Sequence, residues 1–148
     1  EVLTAIKDLQ GFKNPKVAMP GVVVLEATPF RSYDEVEIEM NSLSNQLKEH
    51  TRQLNSTPLI IIADDSDFTS ATLKNYLWVT YTRCNPSHDI YGVDSFVRNK
   101  HWGCNGPLII DARIKPHHAP AVEKDPVVEK KINRLFEKGG SLYGVLKH

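Results

Sequence analysis

Apolar residues recur along the chain with two different spacings, and each spacing predicts one kind of secondary structure. Steps of three to four residues place apolar side chains on one face of a helix. They predict helices near residues 2–9, 33–54, 73–81 and 126–136. Short continuous apolar runs are typical of strands that are covered on both faces. They predict strands at residues 22–26, 58–65, 89–94 and 108–111.

The order of these elements, with helices between successive strands, indicates an α/β fold. We predict a layered α/β/α domain whose sheet is mostly parallel or mixed. Prolines at positions 15 and 20 favour a linker over residues 12–21. The chain is therefore divided into a short N-terminal helix and linker at 1–20 and an α/β domain at 21–148, which ends in a helix and a tail.

Charge and composition narrow the possible partners. Among the 148 residues, 18 Lys and Arg balance 18 Asp and Glu, so no overall positive field attracts nucleic acid or an anionic membrane. The longest apolar run falls short of the ~20 residues of a transmembrane helix, and we expect membrane association to be peripheral at most. Two cysteines in unrelated contexts, Cys84 and Cys104, indicate reduced thiols and a cytoplasmic protein.

Acidic residues follow several of the predicted strands. In open α/β sheets, ligands bind beyond the carboxyl ends of the strands. This rule predicts one acidic rim built from Glu26, Asp64, Asp65, Asp94 and Asp111. Another interpretation is that such short carboxylates cap the following helix or turn, and we favour it for Asp64 and for Asp67.

An acidic pair after a strand also allows a second class of function. In a receiver-like regulatory module, Asp64 and Asp65 would bind Mg²⁺, Asp111 would accept a phosphoryl group and Lys115 would contact it. Lys115 follows Asp111 by only four residues, which leaves no room for the strand and helix that separate these roles in that fold. A free-standing receiver-like module is kept as the alternative function.

The window "WGCNGPLIIDARIKPHH" at residues 102–118 combines several types of chemistry. Four side chains in or beside it could ligate a metal, namely His101, Cys104, His117 and His118. Their spacing matches zinc sites poorly, so a solvated loop is favoured and no metal ligand is assigned. The glycines at 103 and 106 match no phosphate-binding motif. Phe96 and Trp102 could form the wall of a flat ligand or simply pack a long loop.

Taken in order, several motifs resemble the C-terminal domain of the UbiD-like aromatic acid decarboxylases, the 3-polyprenyl-4-hydroxybenzoate carboxy-lyase family. The motifs are "DDSD", "YLWVTYTRCNP", "HDIYGVD", "IIDARIKP" and "KDPVVEKKINRL". The resemblance covers roughly residues 55–138. Ser66, the segment 105–107 and Arg113 depart from the family pattern, which affects the expected substrate and subfamily more than the expected fold.

The resemblance implies a non-oxidative decarboxylase for a 4-hydroxybenzoate- or naphthoate-type acid, in quinone biosynthesis. Loss of CO₂ from an aryl acid leaves a carbanion that side chains alone do not stabilise, so an electrophilic cofactor is needed. In the family this is prenylated FMN, held with Mn²⁺ and K⁺ and served by a Glu-Arg-Glu set in a preceding domain. We expect no catalytic residue in this chain and no activity of the chain alone. The acids Glu35, Glu37, Glu39, Glu129 and Glu137 are expected on exposed helix faces.

The resemblance also implies that the loop from Asp94 to Gly106 faces the substrate pocket. Phe96 and Trp102 are the predicted contacts with the aromatic ring. The implied partners are the aromatic acid, the remainder of the polypeptide, further copies of the protein and a flavin prenyltransferase that supplies the cofactor. Arg83 and Asp111 are interpreted as structural, a cation at a helix end and an acid in a turn.

Overall fold

The computed structural model describes residues 2–119 and 125–145. The chain divides into two units, one up to His118 and one from Ala119 onward. The first unit contains α1 (Val2–Ala5), β1 (Phe12–Met19), β2 (Val22–Ala27), α2 (Tyr33–Lys48), β3 (Leu59–Ala63), α3 (Ser66–Ala71), α4 (Leu73–Arg83), β4 (Ile90–Gly92), β5 (Ser95–Arg98), β6 (His101–Cys104) and β7 (Leu108–Asp111). The second contains α5 (Pro126–Phe136).

Five strands form one sheet in the order β1-β2-β3-β7-β4. The central strands β2, β3 and β7 are parallel, whereas the edge strands β1 and β4 run antiparallel to their neighbours. The sheet is thus mixed with a parallel centre. The short strands β5 and β6 form a separate two-stranded ribbon.

Helices cover both faces of the sheet. Alternate residues of the central strands, such as Leu25 and Ile62, pack on the apolar stripe of α2. The stripe consists of Val36, Met40, Leu43 and Leu47. The intervening strand residues, such as Val24 and Ile61, pack with Tyr76 and Val79 of α4. This arrangement confirms the predicted layered α/β/α fold.

The segment predicted as a linker is instead an edge strand. β1 pairs antiparallel with β2, with Lys13 opposite Glu26 and Lys16 opposite Val24. The register shifts between Lys13 and Lys16, around Pro15, which lacks the N–H that a regular ladder needs. The linker prediction is wrong because edge strands tolerate the proline and lysine that are also typical of linkers.

The helix boundaries also differ from the predictions in two places. α2 begins at the predicted cap, where the Ser32 hydroxyl accepts a hydrogen bond from the Glu35 amide at 3.2 Å. It ends at Lys48, and Leu54 is buried from the turns that follow. The short helix α3 begins earlier than expected, and its cap is Asp65, which accepts from the Phe68 amide at 2.8 Å.

The second unit confirms the predicted start of the last helix. The Asp125 carboxylate caps α5 by accepting hydrogen bonds from the amides of Val127 at 2.8 Å and Val128 at 3.3 Å. Pro126 occupies the first helical position, where its missing N–H has no cost. Within residues 2–119 and 125–145, every helix is too short or too polar to cross a bilayer.

Candidate functional site

The carboxyl edge of the parallel strands gathers charged side chains, as the strand-end rule predicts. Glu26, Asp64 and Asp111 lie at the ends of β2, β3 and β7. Asp94, however, does not belong to this rim. It follows β4, which runs antiparallel to β7, so it lies at the opposite edge of the sheet. Asp89, just before β4, takes its place on the carboxyl edge.

Arg113 and Asp111 form a buried ion pair at this edge. The guanidinium donates from Nη2 to Asp111 Oδ2 and from Nε to Asp111 Oδ1, both at 2.9 Å. Its Nη1 donates to the Thr28 carbonyl and to Glu39 Oε2, both at 2.8 Å. Burial by itself lowers the pKa of Arg113, but the hydrogen bonds and charges of Asp111 and Glu39 raise it above its usual range. Arg113 therefore links the ends of β7 and β2 to α2.

Lys115 lies beside this pair and is also fully buried. Its Nζ is 3.3 Å from Asp89 Oδ2 and donates to the Asp111 carbonyl at 2.9 Å. Asp89 Oδ2 also accepts from the Asn85 amide at 2.6 Å, whereas its Oδ1 is buried without a hydrogen-bond partner. Two buried cations thus face two buried carboxylates. We call Asp89, Asp111, Arg113 and Lys115 the buried charge cluster.

The other acids near β3 are bound by protein donors. Asp64 Oδ2 accepts from the Ile114 amide at 2.8 Å and from Arg83 Nη1 at 3.1 Å. Asp65 caps α3, and Asp67 binds Lys16 at 2.7 Å. The hydrogen bond from Lys16 holds the pKa of Asp67 below its usual range. These contacts favour a capping and pairing role over Mg²⁺ binding by Asp64 and Asp65, although the predicted cap was Asp64 or Asp67 rather than Asp65.

The side chains considered as metal ligands make separate contacts. His118 Nδ1 accepts from the Lys115 amide at 3.1 Å, and Cys104 Sγ contacts the Gly106 carbonyl at 3.3 Å. In the part of the chain that the structure describes, no three His, Cys, Asp or Glu side chains are arranged around a possible metal position.

A groove of about 620 Å³ opens next to the buried charge cluster. Its lining includes Phe12, Lys13, Glu26, Thr28, Pro29 and Asp64. Lys13 Nζ binds Glu26 Oε1 at 2.9 Å, and this hydrogen bond keeps the pKa of Glu26 below its usual range. The groove lies where open α/β sheets bind ligands, and Arg113 fixes the Thr28 backbone on its wall.

The predicted pocket loop is a β-hairpin rather than an irregular loop. Asn99 and Lys100 both have positive φ, +52° and +67°, and they form the two-residue turn between β5 and β6. Such turns have the same twist as the flanking strands. The hairpin continues from the β4–β7 pair at the amino edge of β7, so it projects from the edge opposite the buried charge cluster.

The register of the hairpin places Phe96 and Trp102 on opposite faces. Phe96 pairs with Gly103, and Trp102 pairs with Val97. Residues that are directly opposite share a face, and successive residues alternate between faces. Both rings are partly exposed. The structure therefore brings the two predicted contacts into one hairpin but does not form a single wall from them.

The base of the hairpin is bound to α2. Asp94 Oδ1 pairs with Lys48 at 3.2 Å, and the Asp94 amide donates to the Ser44 hydroxyl at 3.3 Å. Asn105 Nδ2 donates to Asp94 Oδ2 at 2.8 Å, and this bond lowers the pKa of Asp94. Asp94 is thus an anchor for the hairpin.

Several roles assigned from the sequence can now be compared with the structure. Arg83 lies at the end of α4, stacks on Trp78 with 5.1 Å between Cζ and the ring centroid, and pairs with Asp64, as a structural cation would. The expectation that Glu39 lies on an exposed helix face is wrong, because this side chain is partly buried against Arg113.

Sequence reasoning missed Arg113 and Lys115 as buried residues. A signal was present in the alternation of Asp111, Arg113 and Lys115, since alternate residues of an extended segment point to one side. Residue type alone argued against it, because Lys and Arg are rarely buried unless paired.

Tyr91 offers a test of the negative charge beside the core. Burial, together with the charges of Asp111 and Asp89, raises the pKa of Tyr91 to about 12 from the usual 10.0. Stability that depends on neutral Tyr91 is complete below pH 10 and is lost as the pH rises toward 12. We expect the free energy of unfolding, measured with urea at each pH, to fall less steeply across this range in Tyr91→Phe than in the wild type. Parallel curves would contradict the assignment.

Comparison with known proteins follows from this geometry. No family model matches the chain. A 4-hydroxybenzoate decarboxylase polypeptide of Chlamydia pneumoniae, one of the components of that enzyme, is 38% identical over 87 residues, which cover 59% of this chain and 15% of that protein. The UbiD-class enzyme HmfF of Pelotomaculum thermopropionicum, in an evolved dimeric form in complex with prFMN, has a similar fold with a TM-score of 0.50 and 15% identity over 87% of this chain.

The chain is a UbiD-like domain. This confirms the resemblance to the C-terminal domain of the family. A Chlamydia caviae protein is also similar, with 28% identity over 132 residues, which cover 89% of this chain and 21% of that protein. The UbiD-like domain spans about 15% of the length of the Chlamydia pneumoniae decarboxylase polypeptide and about 27% of the HmfF chain.

Proposed function

We propose that this UbiD-like domain belongs to a non-oxidative decarboxylase of aromatic acids. The substrate is a 4-hydroxybenzoate- or naphthoate-type acid, and the reaction serves quinone biosynthesis. The observation that carries the proposal is the 38% identity to a 4-hydroxybenzoate decarboxylase polypeptide. The unpaired thiols of Cys84 and Cys104 support a cytoplasmic enzyme.

The cofactors of this reaction are prenylated FMN, Mn²⁺ and K⁺, and the described residues do not fit them. They offer no cluster of three metal-ligating side chains. The buried cations Arg113 and Lys115 are already bound to carboxylates and carbonyls, so they are not available to a flavin phosphate. We therefore assign cofactor binding and the proton-transferring groups to the remainder of the polypeptide, with a flavin prenyltransferase as the supplier.

The contribution of this domain is a wall of the active site and a contact between copies of the enzyme. The hairpin β5–β6 supplies the wall, since it projects from the sheet with exposed aromatic rings and a fixed base. The exposed stripe Val128, Ile132 and Leu135 on α5 supports a homo-oligomer, because exposed apolar stripes mark interaction surfaces.

The predicted ring contacts are tested by Phe96→Ala and Trp102→Ala in the full-length enzyme. We expect each to raise KM by roughly tenfold or to change the order of preferred acids, because each removes apolar surface from the ligand. Steady-state CO₂ release with several acids measures both effects. Ile38→Ala, at an exposed position of α2, is the control. Unchanged kinetics in both hairpin variants would exclude the hairpin as the wall.

The activity itself is tested by expressing the full-length protein with a flavin prenyltransferase. CO₂ release is then assayed over a panel of hydroxybenzoates and naphthoates. We expect turnover of at least one acid by the full-length protein and none by the 148-residue chain alone. Turnover by the chain alone would contradict the division of labour, and inactivity of the loaded full-length protein would contradict the proposed reaction.

A further inference from the structure

The two faces of the β5–β6 hairpin differ in chemistry. One face carries Phe96, Arg98, His101 and Gly103, since Phe96 pairs with Gly103 and Arg98 with His101. We call it the Phe96 face. The other, the Trp102 face, carries Ser95, Val97, Trp102 and Cys104 and has no basic side chain.

The Trp102 face packs partly on the body of the domain. A Cβ built on Gly92 would lie 2.5 Å from Cys104 Cβ and 3.1 Å from Trp102 Cη2, so both side chains lie directly against the Gly92 backbone. Because the two faces of a ribbon point in opposite directions, the Phe96 face is turned away from this contact.

On the Phe96 face, an aromatic ring and a cation are held together. The Arg98 guanidinium carbon is 5.6 Å from the centroid of the Phe96 ring, within the range of a cation–π contact. The ring also covers Gly103, where a Cβ would lie 2.9 Å from Phe96 Cζ. Glycine at this position therefore lets the ring lie flat on the ribbon.

Charge on the hairpin is of one sign although the chain as a whole is neutral. Residues 95–104 contain Arg98, Lys100 and His101 and no acid. Among the described residues, no carboxylate forms an ion pair with Arg98, unlike Arg113 and Arg83. A guanidinium presents parallel donors that match the two oxygens of a carboxylate.

We infer that Arg98 binds the carboxylate of an aromatic acid whose ring packs against Phe96. The inference rests on the proposed function and adds to it the face of the hairpin that receives the ligand and the residue that reads its charge. An aryl carboxylate fits because it combines a planar apolar body with one anionic end, as the Phe96 face combines a ring with an unpaired cation.

The test compares two probes that differ only in charge, 4-hydroxybenzoate and 4-hydroxybenzamide. Their dissociation constants for the full-length protein are measured by ligand-observed NMR without turnover. We expect the wild type to prefer the acid and Arg98→Gln to lose about tenfold of this preference, the size of one charge-assisted hydrogen bond. Arg98→Lys should retain part of it, since it keeps the charge without the fork.

Lys100→Gln is the matched control, because it removes the same charge from the turn between the two strands. It should leave the preference for the acid unchanged. The inference is overturned if wild type binds both probes equally or if Arg98→Gln keeps the full preference. Because binding is read without CO₂ release, a failure of the decarboxylation assay would contradict the proposed reaction and leave this result independent of it.

Discussion

Replacement of Asp111 by alanine is expected to destabilise the first unit by about 3 to 5 kcal/mol, the usual cost of removing one partner from a buried ion pair. Arg113 and Asp111 are 1% and 0% exposed at their side chains. Without the carboxylate, the guanidinium keeps only Glu39 as an anionic partner, and that residue is 30% exposed. The free energy of unfolding is measured with urea and circular dichroism.

The control is the exposed pair Lys7 and Asp8, whose charged atoms are 3.8 Å apart. Asp8→Ala should cost no more than about 1 kcal/mol, because water screens exposed charges. A double variant, Asp111→Leu with Arg113→Met, should recover much of the loss, since it removes both charges together. A loss below about 1 kcal/mol in Asp111→Ala would show that Arg113 does not depend on this carboxylate.

The sheet could be predicted where burial is uniform along a strand. β2, β3 and β7 are continuous apolar runs because both of their faces are covered, and composition alone identifies them. β1 could not be identified in this way. One of its faces and one of its edges are open, so the strand tolerates Lys13, Pro15 and Lys16, which are also typical of a linker.

Strand direction decided which residues share the carboxyl edge. A sequence pattern gives the position of β4 but not its direction, and the antiparallel pairing with β7 moves Asp94 to the far edge and brings Asp89 to the near one. The buried charge cluster was hidden for a related reason. Arg113 is buried only because β2, α2 and β7 meet around it, and these segments are far apart in the sequence.

The recognised family and the missed charges serve different purposes in the molecule. Motif order identifies the family because it follows the framework of strands and helices. The buried charge cluster fixes the ends of β2 and β7 and so keeps that framework in one arrangement. The hairpin, by contrast, depends on small residues that allow close approach of the ribbon to the sheet.

Gly92→Ala is therefore expected to disturb the hairpin more than its single methyl group suggests. The added Cβ would lie 2.5 Å from Cys104 Cβ and 2.9 Å from Cys104 Sγ, distances that require the backbone of the ribbon to move. Overpacking of this kind costs about 1 to 3 kcal/mol. We expect a loss of this size in urea unfolding, together with a raised KM in the full-length enzyme because the Phe96 face shifts.

A second change distinguishes steric overlap from other effects of the alanine. Cys104→Gly removes the atoms that the new methyl group would meet, so the double variant Gly92→Ala with Cys104→Gly should be more stable than the sum of the two single losses predicts. The difference measures how tightly the hairpin is seated on β4. If the losses simply add, the contact between Gly92 and Cys104 does not hold the hairpin in place, and the position of Phe96 must depend on the Asp94 anchor instead.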